Sequence, residues 1–341
     1  MRKLESIYKA MKWDDKKYIK MTMLTSQSNK DSRAFCVASG ENTLVTLKKV
    51  FGITSSAFDV KFEQACSGSG QEERRIATLH SSSLCALLFF YNLSEENPLT
   101  IYVDGIGDVS FMDAIFEYQN CVIEKANPSN IDVTLLGKCN GKKVIMFLES
   151  KFSEYIMGTQ KKLNINQAYL SEEISKNLYE KWQWDINLTE NEKEFSISVS
   201  GKDAYLGGLK QMISHYVGVR KFERGICKLK NGLSADKDLY SVTNNQKKQV
   251  EQERLRNYAL GGDVVIVLGS ILFDIYENDG QHQELQKYEE LYVKLMRQLS
   301  EDAARCKSDI VVLKNFYTYQ ELFKDKKQHT TKEIYKFYFG E

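Results

Sequence analysis

The clearest apolar runs in the chain are residues 131–136 (Ile-Asp-Val-Thr-Leu-Leu) and 144–148 (Val-Ile-Met-Phe-Leu), with Asn140-Gly141 between them. Short apolar runs bounded by turn residues read as strands, and Asn-Gly between two of them is a strong hairpin signal. Around this hairpin the pattern predicts a sequence of elements. Residues 3–12 form a short helix and 33–38 a strand. A loop at 67–73 leads into a long helix that reaches about residue 93. Residues 99–104 and 114–123 are strands, and Pro128-Ser129 marks a turn. Later, 204–222 is helical, with Leu209, Met212, Ile213, Tyr216 and Val217 as its buried stripe. Residues 246–258 and 283–306 are helical, and 262–269 and 309–313 are strands. The tail beyond Tyr319 alternates Lys with aromatics and reads as surface. Strands alternating with helices late in the chain imply an α/β fold: a mixed central sheet covered by helices on both faces.

The hairpin register follows from the turn. If Asn140 and Gly141 are the two central residues of a type I′ turn, stepping outwards along both strands places Asp132 directly opposite Glu149. Directly opposed residues share a face, with Cβ atoms about 5 Å apart. Lys151, two residues beyond Glu149, lies on that face as well. Gly137 is the residue that would lengthen the loop and shift this register. Like charges placed opposite each other cost stability, whereas a divalent cation between them turns the cost into a binding site.

Composition narrows the setting. Lys+Arg 47 nearly balances Asp+Glu 46 over 341 residues, so net charge announces no polyanionic partner, although a local basic surface suffices for one. The seven cysteines have no CxxC spacing, which argues against a disulfide framework and a zinc site. No run of about 18 apolar residues occurs, and the first residues carry no apolar leader, so the expected setting is cytoplasmic, without a membrane. The organisation expected is an extension over 1–60, a main domain over 61–320 and a tail over 321–341. The main domain would carry insertions at 156–202 and 225–260, mainly helical, with a strand at 195–199 in the first.

Asp132, Glu149 and Lys151 have the composition of a metal-dependent phosphodiester-cutting site. Such a reaction needs charge neutralised on the phosphate, a water oriented and deprotonated, and the leaving oxygen stabilised. Two or three carboxylate oxygens suit Mg²⁺, which retains several waters; Asp132, Glu149 and the Ser150 carbonyl could supply them. On the predicted helix leading to residue 93, Glu72 lines up with Ile76, Leu79, Ser83, Leu87 and Phe90. A carboxylate at the head of an apolar stripe needs a partner or a metal, or it simply complements the helix dipole. Gln211 and His215, an i,i+4 pair, flank the stripe of helix 204–222. Each feature also has a plain structural explanation. Glu-x-Lys recurs by chance, a same-face Glu–Lys pair on the surface is worth under about 1 kcal/mol, and His215 and His80 read as hydrogen-bonded core-edge histidines. Ser81-Ser82-Ser83 lacks a nucleophile elbow, and Gly68-Ser69-Gly70 lacks a nucleotide-binding fingerprint.

The arrangement of Asp132 followed by Glu149-Ser150-Lys151 resembles the PD-(D/E)XK nuclease superfamily. Four blocks sharpen the resemblance: Ser67-Gly68-Ser69-Gly70-Gln71-Glu72, His80-Ser81-Ser82-Ser83, Phe147-Leu148-Glu149-Ser150-Lys151-Phe152, and Gly207-Gly208-Leu209-Lys210-Gln211-Met212-Ile213-Ser214-His215-Tyr216. Together, spanning about 62–320, they look like a bacterial family of restriction endonuclease-like proteins. The resemblance implies a restriction-endonuclease-like α-β-β-β-α-β core. Its first helix would hold Glu72, and the helix holding Gln211 would pack on the sheet after the Glu-x-Lys strand. One departure is that Ile131, not proline, precedes Asp132, although Pro128 is close. The resemblance further implies that Asp132 and Glu149 bind Mg²⁺, with Mn²⁺ as a substitute, that Glu72 adds a ligand, and that Lys151 and Gln211 support hydrolysis. The activity expected is Mg²⁺-dependent endonucleolytic cleavage of DNA of the restriction or defence type. The alternatives are a catalytically silent DNA- or partner-binding protein on the same fold, or a nuclease acting on RNA or modified DNA. Helix 283–306 would be the element of a homodimer.

Overall fold

Asn140 and Gly141 both take positive φ, 49° and 79°, the pair of values a type I′ turn requires. The strands it joins are long. The computed structural model describes all residues except 1, 14–21, 26–32, 37–42, 68–75, 77, 124–127, 190–192, 201, 236–245, 277–282 and 341. Within it, helix α1 (Arg2–Ala10) and strands β1 (Thr22–Thr25) and β2 (Arg33–Cys36) come first. They are followed by α2 (Thr43–Val50), α3 (Ala57–Cys66) and α4 (Ser82–Phe90). An antiparallel meander then runs through β3 (Leu99–Val103), β4 (Gly107–Asn120), β5 (Ser129–Cys139) and β6 (Lys142–Lys151).

The register of β5 with β6 is the one read from the turn, from Cys139↔Lys142 out to Val133↔Leu148. Gly137 does not lengthen the loop. It lies within the paired strand, where a Cβ would come within 2.6 Å of the Ser110 carbonyl and 2.7 Å of the Phe111 ring. β4 carries a bulge between Phe111 and Asp113, so this glycine accommodates the close approach of the neighbouring strand.

Beyond β6, the short helix α5 (Glu154–Met157) leads into a separate three-stranded sheet. It consists of β7 (Leu163–Asn166), β8 (Asp185–Leu188) and β9 (Glu194–Ser198) in the order β7-β9-β8, with α6 (Glu173–Lys181) beside it. The strand expected at 195–199 is β9, and it is joined by two further strands, so the insertion is part sheet. Helices α7 (Leu206–Lys230) and α8 (Gln246–Leu260) return the chain to the main sheet, where β10 (Val264–Leu272) pairs with β6 in parallel from Val264↔Lys143 to Leu272↔Lys151. Then come α9 (Gln283–Arg305), β11 (Val311–Val312), β12 (Tyr317–Thr318), α10 (Tyr319–Phe323) and α11 (Lys332–Phe339). The seven-stranded sheet has the order β11-β10-β6-β5-β4-β3, with β12 also pairing with β10. It is a mixed sheet in an α/β protein.

The helices cover both faces. Successive residues of a strand point to opposite faces, and β6 illustrates this at its end. Glu149 meets His215 of α7 on one side, while the Ser150 hydroxyl meets the Ser82 carbonyl of α4 and the Tyr319 hydroxyl on the other.

Two expectations need correction. The long helix to residue 93 is shorter: residues 79–80 turn, and the helix begins only at Ser82. The Ser81 hydroxyl accepts from Leu84 N–H at 3.1 Å, so the serine run caps a helix instead of continuing one. Every residue from Leu84 to Phe90 is buried, so this helix has no polar face from which a stripe could be read. The tail beyond Tyr319 is core, not surface. Tyr319, Phe323, Ile334 and Phe337 are at most 1% exposed. Trp13 stacks on both Phe337 and Phe152 at 4.9 and 5.8 Å, and Phe152 lies against Phe273 at 4.8 Å. The apolar side of α9, through Leu285, Tyr288, Tyr292, Leu295 and Leu299, is buried within the chain itself. Among the described residues no helix is long and apolar enough to cross a membrane.

Candidate functional site

The paired register ends at Val133↔Leu148, one step before Asp132 and Glu149. There the Ser150 N–H donates to Asp132 Oδ2 at 2.7 Å, a side-chain oxygen taking the place of a ladder carbonyl. The hairpin thus splays where its two carboxylates stand. Lys151 Nζ lies 3.9 Å from Asp132 Oδ2 and in close contact with Glu149 Oε1. The other oxygen of Glu149 is 2.5 Å from His215 Nε2, and His215 Nδ1 is 2.9 Å from the Ser129 hydroxyl. Glu149, Lys151 and His215 are 2%, 5% and 1% exposed; the Asp132 side chain, at 14%, is the opening of the cluster.

Burial in this setting acts differently on each group. It pushes the Asp132 carboxyl well above its usual range, and the Glu149 charge opposite adds to this; Lys151 and the Ser150 N–H only partly offset it. Burial pushes Glu149 the same way, but Lys151 and His215 outweigh it and hold that carboxyl down at about 2. Burial disfavours the Lys151 ammonium, and Glu149, followed by Tyr205 and Asp132, more than restores it. The outcome is two neighbouring carboxyls with environments of opposite effect, a pattern that marks functional sites more often than plain surfaces.

Asp132, Glu149 and Lys151 are therefore brought together. Glu72 lies outside the described residues. Gln211 is half-buried on α7 and makes no hydrogen bond to any described residue; His215, one turn further along the same helix, reaches Glu149 instead. Sequence reading gave His215 only a core-edge role. Its i,i+4 spacing from Gln211 was the available signal, but which of the two faces the strand depends on how the helix is rotated.

A second acid was missed altogether. Glu117 stands across from Asp132 on β4, between the pairs Phe116↔Val133 and Tyr118↔Ile131. It is buried, its φ is +52°, and its charge helps raise the Asp132 carboxyl. Three adjacent strands thus carry Glu117, Asp132 and Glu149 in one row. The bulge between Phe111 and Asp113 shifts the register of β4 and hides this alignment from the sequence.

The donor set bears on a cation as follows. No three His, Cys, Asp or Glu side chains among the described residues are already arranged around a common point that could hold a metal ion. Two hard carboxylates with a raised Asp132 nonetheless fit a small cation that keeps most of its waters, because such an ion relieves the like-charge contact with few protein ligands. Compared with protein-family models, with curated proteins and with solved structures, the chain matches none.

Proposed function

We propose that the chain is a divalent-cation-dependent nuclease that hydrolyses phosphodiester bonds of DNA. The observation that carries this reading is the hairpin end at which Asp132, Glu149 and Lys151 converge while Ser150 N–H holds Asp132 in place. Asp132 and Glu149 would hold Mg²⁺ or Mn²⁺, with Glu72 proposed as a further ligand; when bound, the ion neutralises charge on the phosphate. Lys151, desolvated and cationic, would orient the attacking water and stabilise the negative charge that builds on the phosphoryl oxygens and on the departing oxygen as its bond to phosphorus breaks. His215 and Ser129 keep the Glu149 carboxylate in one orientation, and Gln211 is proposed as a polar contact for the water or the phosphate.

A second reading is a nuclease-like fold that binds DNA or a partner without cutting. It draws on the sealing of the cluster: both oxygens of Glu149 are taken, one by Lys151 and one by His215. Calorimetric titration with Mn²⁺ separates the two readings. The nuclease reading expects one site on the wild type that Asp132→Ala removes, together with metal-dependent nicking of plasmid DNA. A folded wild type that takes up no Mn²⁺ favours the silent reading.

A further inference from the structure

Toward the turn of the same hairpin lies a cavity of about 340 Å³. Leu136 and Lys138 of β5 line it. They stand four and six residues along the strand from Asp132, about 13 to 20 Å away at ~3.3 Å per residue, so the cavity is separate from the carboxylate cluster. The bulge in β4 borders it. Phe111 pairs with Gly137 and Asp113 with Leu136, which makes Met112 the extra residue. Met112 and Asp113 both line the cavity, and α8 supplies a second wall through Arg254 and Tyr258. Bulges re-aim side chains and recur beside binding sites.

These walls combine crowded positive charge with a fixed aromatic ring. Asp113 is already committed: Oδ1 accepts from Lys61 Nζ and from Ala114 N–H, each at 2.8 Å, while Oδ2 meets Arg254. One carboxylate thus serves two cations. Burial, and then the nearby Arg254, push the Lys61 ammonium down to about 8. Lys138 stands directly opposite Lys143 in the β5–β6 register, and like charges so placed cost stability. Lys143 turns to Tyr258, donating to its carbonyl at 3.0 Å with Nζ 4.8 Å from the ring centroid. Lys138 is exposed, and its ammonium has no partner among the described residues. The Tyr258 hydroxyl donates to the Gly137 carbonyl at 2.6 Å, which fixes the ring. Met112 and Leu136 make the remaining wall apolar, and Glu95 places an exposed acceptor at the rim.

We propose that this cavity binds a nucleoside monophosphate unit, its phosphate between Lys138 and Arg254 and its base against Tyr258. An anion there relieves both like-charge contacts. Arg254, with one nitrogen on Asp113, keeps further guanidinium donors for phosphate oxygens. Stacking on a tyrosine accepts any base, and Met112 and Leu136 supply the apolar surface that such a pocket needs. Glu95 suits the hydroxyl donors of a sugar. The site does not depend on the nuclease reading. The nucleotide is either free or one residue of a bound strand; the chemistry recognised is the same, and the test separates the two.

The test is calorimetric titration of the full chain, in chelator so that no strand is cut. The probes are adenosine 5′-monophosphate, adenosine, ribose 5-phosphate and a short single-stranded DNA. Lys138→Gln and Arg254→Gln remove one cation each. Lys138 is exposed and unpaired, so Lys138→Gln should keep the wild-type thermal midpoint and carries the test if Arg254→Gln does not fold. The monophosphate is expected to bind the wild type at least about 10-fold more tightly than adenosine or ribose 5-phosphate, and about 10-fold more weakly to Lys138→Gln. If the DNA weakens by the same factor in Lys138→Gln and the monophosphate displaces it, the unit belongs to a bound strand. If DNA affinity does not change while that for the monophosphate falls, the ligand is a free nucleotide. A folded wild type that binds no monophosphate overturns the proposal. Affinity equal to that for ribose 5-phosphate, or unchanged in Lys138→Gln, overturns it as well.

Discussion

Asp132 is the residue on which the cluster is least compensated. Glu149 has two cationic or hydrogen-bonding neighbours, one for each oxygen, whereas Asp132 has the Ser150 N–H and a Lys151 ammonium 3.9 Å away. Its carboxyl is raised by burial first and by Glu149 next. The folded state therefore holds this proton more tightly than the unfolded state, where the value is near 3.8. The sign follows: at neutral pH the ionised Asp132 costs stability, and the cost disappears as pH falls through the raised folded-state value toward 3.8. Without metal, Asp132→Asn should melt above the wild type at pH 7 to 8, and the difference should shrink on acidification. Thermal melts in chelator across that pH range check it, and a variant that melts lower at neutral pH contradicts it. Legibility at this scale was uneven. Asp132, Glu149 and Lys151 could be read because one tight turn fixes their register. Glu117 could not, because a bulge separates it from any turn that could be counted from, and His215 reaches the cluster through tertiary packing.

Among the elements, the β5–β6 hairpin determines most of the rest. Its turn chemistry is local, so the strands, the pairing and the position of the two carboxylates followed from sequence. Gly137 leaves that register unshifted, because the reason for a glycine there lies on β4 and not in the loop. Gly137→Ala should push against the backbone at Ser110 and cost about 1–3 kcal/mol, read as a shift of the urea midpoint; an unchanged midpoint would mean that β4 yields freely. The helix around residues 82–90 was overextended for a related reason. Its buried surface goes all round, and its start is marked by Ser81 capping Leu84, a feature that periodicity does not register. Helix α7 was placed well, but the rotation that sends His215 to Glu149 and leaves Gln211 half-buried is decided by packing.

At the scale of the whole molecule, the first and last described segments pack together behind the end of β6. Trp13 from the first described segment and Tyr338 from the last helix lie against Phe152, the residue after Lys151, and Phe337 stacks on Trp13. The Tyr319 hydroxyl is 2.8 Å from that of Ser150, between Glu149 and Lys151. Lysines interleaved with aromatics looked like a surface because charge dominates that segment's composition; the aromatics nevertheless point inwards at helical spacing. Trp13→Ala should cost about 3–5 kcal/mol, whereas Val250→Ala, at a position 66% exposed, should change the denaturation midpoint little. Equal effects of the two would contradict the packing described. The proposed chemistry converges on Lys151, whose ammonium lies against both carboxylates. The most direct measurement is cleavage of plasmid DNA and of matched RNA in Mg²⁺ and in Mn²⁺, wild type against Lys151→Ala, with both proteins shown to be folded. The wild type is expected to nick or linearise the DNA only when the metal is present, and Lys151→Ala to be slower by about 100-fold or more. A wild type that leaves DNA intact in both metals, or a Lys151→Ala variant that cuts as fast as the wild type, would contradict it.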